Sequence, residues 1–209
     1  MASALSRMAL TDQSKLALAQ EGAIPPLVTM IASGKLEGKS AGLGALQNLS
    51  TLPANRGALI DAGVIPPLLQ LLFSVTSTVV SLKEQAAATL ANLAMAGAAA
   101  QTQIGGHGSI LESEETIYQL LSLLNLAEAS IQKQLLRALL GMALPPMAVE
   151  VRSKMRQGGA ITVLMPFLEA GEAGEGLRTN AAQVLKVLSA DGAGKEVAES
   201  LMEGQSTGL

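Results

Sequence analysis

The 209-residue chain contains no cysteine and no tryptophan, and it has one histidine, one tyrosine and two phenylalanines. Without cysteine it can form no disulfide frame, thiolate zinc site, iron–sulfur cluster or cysteine nucleophile. With His107 alone, no histidine pair can ligate a metal. Phe73, Tyr118 and Phe167 are too few and too scattered to make stacking platforms for bases. The formal net charge is −3, which gives no global attraction to nucleic acid or to an anionic membrane. Charge is uneven along the chain. Residues 106–209 carry eight basic and twelve acidic side chains, against six and five in residues 1–105. The longest uncharged apolar stretch, 62–82, is broken by Pro66, Pro67 and the polar run 74–78, so a spanning helix is not expected.

The composition is otherwise 49% hydrophobic, too apolar for a disordered chain. The core must come from Leu, Ala, Val, Ile and Met. A repeat is visible directly. EGAIPPLVTMI from Glu21 recurs 41 residues later as AGVIPPLLQLL from Ala62. GLGALQNLS from Gly42 recurs 44 residues later as AAATLANLA from Ala86. The order is the same in both, so a unit of roughly 42 residues is duplicated. Weaker copies follow at GGAITVLMPFL from Gly158 and NAAQVLKVLS from Asn180, with TIYQLLSLL from Thr116 and KQLLRALLGMA from Lys133 between them.

Every element of the unit reads as a helix. Pro25 and Pro26 fit a first turn, where a missing N–H costs nothing. Gly42, Ala45, Leu46 and Leu49 form an i, i+3, i+4, i+7 stripe matched by Ala86, Thr89, Leu90 and Leu93. Their small size suits close approach to a neighbouring helix. A shorter helix, NRGALIDAG from Asn55 to Gly63, opens on Asn55 in the N-cap manner and closes on a glycine suited to a left-handed position. Its counterparts begin at Ser14 and Val151, and each has a basic second residue: Lys15, Arg56 and Arg152. No strand-like alternation occurs.

The segments from Asn55 to Leu69 and from Ala86 to Ala94 resemble the armadillo repeat family, over about residues 20–195. The wording GAIPPLV and KEQAAATLANLA is most similar to plant armadillo proteins, including the repeat region of plant U-box ubiquitin ligases; the sequence contains no U-box. The resemblance implies an all-α, right-handed superhelix of four to five units. These read as a partial unit at about 1–22, then 23–63, 64–108, 109–159 and 160–203, in one domain with a disordered tail at 204–209. It further implies a concave groove lined by third helices, whose asparagines hold the backbone of an extended peptide. The matching residues are Asn48 and Asn92, with Gly141 and Val187 in the next two copies. Satisfying backbone groups of its own turn or of the following loop is an equally good reading of each asparagine. One turn earlier stand Gly44, Ala88, Arg137 and Gln183, not the tryptophans of the nuclear-import adaptors, so a basic nuclear-localisation peptide is not expected. Arg137 would bring a cation to the groove and favour acidic or phosphorylated segments; its plainer reading is an exposed helix ion pair.

No catalytic constellation emerges. His107 sits in the glycine-rich GGHG connector, and Glu112, Glu114 and Glu115 read as a solvated helix start rather than a calcium loop. The expectation is a non-catalytic protein or peptide binder without cofactor or metal, in the cytoplasm or nucleus. Its rivals are a structural spacer and, more weakly, a membrane-peripheral scaffold. Leu5, Met8, Leu10, Leu16 and Leu18 would cover the N-terminal end. That cap looks incomplete, which predicts self-association and a chain shortened from a longer protein.

Overall fold

The structure is a computed structural model, described over residues 11–74, 80–95, 113–144, 148–169 and 174–190. Among these residues every regular element is helical. In chain order they are α1 (Asp12–Gln20), α2 (Ile24–Ser33), α3 (Leu36–Ser50), a 3-10 turn (Pro53–Asn55) running into α4 (Arg56–Asp61), α5 (Ile65–Phe73) and α6 (Val80–Ala94). Then come α7 (Glu114–Leu126), α8 (Ala129–Ala143), α9 (Val149–Gln157), α10 (Ala160–Leu168) and α11 (Glu175–Leu188). The connector with His107 and Glu112, residues 1–10 and the tail lie outside the described residues.

Among the described residues each short first helix ends on a glycine in the left-handed region: Gly22 at φ 78°, Gly63 at φ 75° and Gly159 at φ 81°. The closure at Gly63 uses two backbone bonds, Gly63 N–H to Ile60 C=O (2.8 Å) and Val64 N–H to Leu59 C=O (3.3 Å). Gly22 and Ala23 repeat them on Ala19 and Leu18. This Schellman pattern reverses the chain tightly while satisfying two terminal carbonyls. The next helix leaves at 82° after α1 and at 85° after the segment Pro53–Asp61. Pro25, Pro26, Pro66 and Pro67 then occupy first turns, as their missing N–H groups require.

The second helices bury Leu27, Val28 and Ile31 in α2, and Leu68, Leu69, Leu71 and Leu72 in α5. Gly42, Ala45, Leu46 and Leu49 are all buried in α3, as are Ala86, Thr89, Leu90 and Leu93 in α6, so the stripe read from the sequence is the packed face. Close approach is real at Gly42, where a Cβ would sit 3.2 Å from Ile31 Cγ2. Third helices stack in sequence, α3 on α6, α6 on α8 and α8 on α11. Second helices form a neighbouring layer, with α2 beside α5 and α7 beside α10. The core lies between the layers and runs without interruption from Ile24 to Leu188. Each unit therefore completes its neighbour's core, and none could fold usefully alone.

The N-cap expectation at Asn55 needs correction. Its side chain makes no capping bond to α4. The residue is 1% exposed, and its Nδ2 donates to the Lys15 carbonyl (3.0 Å) and the Leu49 carbonyl (3.4 Å). The 3-10 turn already delivers the chain into α4, so the amide is left to join α1, α3 and α4. By contrast, Ser113 does cap α7, accepting from Thr116 N–H at 3.2 Å, with Glu114 and Glu115 in the first turn. Those two acids therefore stand at a helix start, where the dipole favours them. Among the described residues no single helix is long and apolar enough to cross a membrane.

Candidate functional site

The basic second residue of the first helices has a definite task. Arg56 Nε donates to the carbonyl of Ser50, the last residue of α3, at 3.2 Å. Arg152 Nη1 donates to the carbonyl of Ala143, the last residue of α8, at 2.9 Å, and is itself buried. Arg156 reaches forward in the same way to the carbonyl of Leu188, which ends α11, at 3.0 Å. A helix C-terminus carries partial negative charge and unsatisfied carbonyls, so a guanidinium there supplies both charge and donors. Lys15 differs and pairs with Asp12 at 3.1 Å.

These caps fix the ends of the third helices, and the sequence-predicted site residues lie beside them. Asn48 and Asn92 are both half-buried, at matching positions of α3 and α6. Asn92 Nδ2 donates to Ser50 Oγ at 3.0 Å, reaching back one unit. Ser50 is fully buried and its hydroxyl donates to the Gln47 carbonyl at 2.7 Å. Arg137 of α8 donates through Nη2 to Asn92 Oδ1 at 3.3 Å and through Nη1 to Gln134 Oε1 at 2.6 Å. Asn92 and Arg137 are thus brought together, and a single polar run crosses α3, α6 and α8. Burial lowers the proton affinity of Arg56, and the nearby Arg137 charge lowers it further. The two guanidiniums therefore share one neighbourhood, a pairing that sequence reasoning missed.

In the third copy, Gly141 occupies the asparagine position for a steric reason. A Cβ there would stand 2.6 Å from the Ala94 carbonyl carbon and 2.7 Å from Met95 N. The end of α6 runs against α8 backbone to backbone, and no side chain fits between them. Val187, the fourth copy, is half-buried on α11. The amide positions are consequently limited to α3 and α6.

A family model described as Armadillo/beta-catenin-like repeat matches residues 11–51 and 53–95. Each match opens on a first helix and closes at the end of a third. The chain is an armadillo-repeat solenoid. It is 33% identical over 176 residues to U-box domain-containing protein 43 of Arabidopsis thaliana, covering 82% of this chain and 22% of that protein. It is also 33% identical over 217 residues to U-box domain-containing protein 24 of Oryza sativa subsp. japonica, covering 96% of this chain and 26% of that one. The chain thus spans about a quarter of the length of these relatives. Computationally designed armadillo repeat proteins for modular peptide recognition superpose with a TM-score of 0.80 at 23% identity, over 95% of this chain and 79% of theirs. A designed armadillo repeat protein in complex with peptide (KR)4 superposes at 0.79 and 21% identity, again over 95% and 79%. At these identities the superposition bears on the armadillo fold alone.

Proposed function

We propose that this armadillo solenoid is a non-catalytic interaction scaffold that holds an extended peptide or partner segment along its third helices, with Asn48 and Asn92 gripping the ligand backbone. The supporting observation is the placement of two half-buried amides at equivalent positions of consecutive stacked helices. Repeated amides at one-unit spacing suit an extended chain, whose backbone offers donors and acceptors at regular intervals. The likeness to designed proteins made for peptide recognition, one of them in complex with a peptide, adds to this reading. Likeness to U-box domain-containing proteins favours a substrate-recognition or adaptor segment of that family, working in the cytoplasm or nucleus.

One observation favours a second reading, that of a structural spacer. Asn92 already bonds Ser50 and accepts from Arg137, so its amide serves the solenoid. Replacing Asn48 and Asn92 together by alanine separates the two. Peptides selected from a displayed library against the intact chain should lose at least about tenfold in affinity for the double variant, the size of two hydrogen bonds. The melting midpoint should stay within roughly 5 °C, because each lost internal bond is worth about 1 kcal/mol. Unchanged affinity with a larger thermal loss would favour the spacer.

A further inference from the structure

We propose that Arg56 and Arg137 together seat the phosphoryl group of a phosphoserine or phosphothreonine in a bound segment. The inference rests on the peptide-binding reading above and assigns its ligand chemistry. Arg56 stands at the start of α4 and Arg137 on α8, on either side of Asn92 on α6. The two are joined through one run of bonds: Arg137 to Asn92 Oδ1 (3.3 Å), Asn92 to Ser50 Oγ (3.0 Å), and Arg56 to the Ser50 carbonyl (3.2 Å). Both side chains are half-buried. Every acceptor they use is neutral, either a backbone carbonyl or a side-chain amide. Among the described residues the two ion pairs are Lys15–Asp12 and Lys154–Glu150, and neither involves these arginines.

Two like charges that share a neighbourhood, with no acidic partner among the described residues, cost free energy that an arriving anion would recover. The donors to receive it are present. A guanidinium has five N–H groups, and Arg56 engages only its Nε–H, leaving both Nη groups. Arg137 commits one N–H on each Nη, leaving a second on each. A carboxylate has two oxygens and one charge, enough for a single fork. A phosphoryl group brings three acceptor oxygens and a charge of about −1.5 to −2, which suits two forks at once. A segment held by Asn92 would lie beside Arg137, which bonds that amide, and near Arg56, which is joined to Asn92 through Ser50. This polarity is opposite to that of the designed relative, whose peptide is (KR)4.

The test uses the intact chain and fluorescein-labelled peptide pools that are degenerate except for a central residue: phosphoserine, serine or glutamate, with (KR)4 as a fourth probe. Anisotropy titrations should give the phosphoserine pool an advantage of about tenfold or more over the serine pool, as charge-assisted bidentate bonds provide. Arg137→Gln should erase that advantage; because Arg137 also bonds Asn92, serine-pool binding should weaken by no more than about threefold and the melt should shift by no more than about 5 °C. Arg137→Lys, which keeps the charge but loses the fork, should retain part of it. Equal binding of the phosphoserine and serine pools overturns the inference and leaves the groove reading standing. So does a glutamate pool as tight as phosphoserine, or a phosphate preference that survives Arg137→Gln. Arg137-dependent capture by phosphatidylserine vesicles without any phosphoserine preference overturns it in favour of a lipid surface. Failure of every pool to bind overturns the groove reading and this inference with it.

Discussion

Gly141→Ala is expected to destabilise the solenoid by about 2 kcal/mol, although the same change helps an unencumbered helix by about 1 kcal/mol. The added methyl would meet the backbone of Ala94 and Met95 at 2.6–2.8 Å. Backbone at the end of a helix cannot rotate aside as a side chain can, so α8 must shift off α6. That contact belongs to the third-helix layer, so the strain would spread along the stack. For a chain of this length the melting midpoint should fall by roughly 4–8 °C. Gly38→Ala in α3 is the matched control, since its nearest neighbour is Met30 Cγ at 3.5 Å. Its midpoint should hold or rise. A neutral Gly141→Ala would mean that α6 and α8 are not packed as described.

Asn55→Asp should cost more, about 3–5 kcal/mol at neutral pH, because it buries an uncompensated charge. The side chains are nearly the same size, so packing is preserved and the effect is electrostatic. Where Nδ2 donates to two carbonyls, a carboxylate oxygen would face both of them. Burial and those acceptors would raise the aspartate pKa in the folded state above its unfolded value of about 3.9. The sign follows from linkage: the penalty is full above the folded-state pKa and shrinks as pH falls through it. Chemical denaturation at pH 7 and near pH 4.5 should therefore show the variant recovering toward the parent in acid. A pH-independent loss would point to packing instead.

Much of this fold is legible in the sequence because its determinants are local. The proline pairs, the glycines closing the first helices and the small-residue stripes from Gly42 and Ala86 each act within one element. The departures involve partners one repeat away. Asn55 looks like a cap until Lys15, 40 residues earlier, proves to be its acceptor. Asn92 and Arg137 stand out separately, yet their bond crosses 45 residues. Spacing near one repeat could have flagged that pair, since residues so related sit side by side on stacked helices. Arg56 and Arg152 carried a visible periodic signal, a basic residue after each turn, without any hint that it caps the third helix before it. Gly141 reads as a missing asparagine; only the contact with α6 explains why nothing larger stands there.

The direct test of the account is an amide-resolved NMR titration of the intact chain with a peptide selected against it. Shift changes should concentrate at 44–51, 88–95 and 137–144, on the third helices. Changes confined to the second helices, around Tyr118 on α7 and along α10, would contradict it.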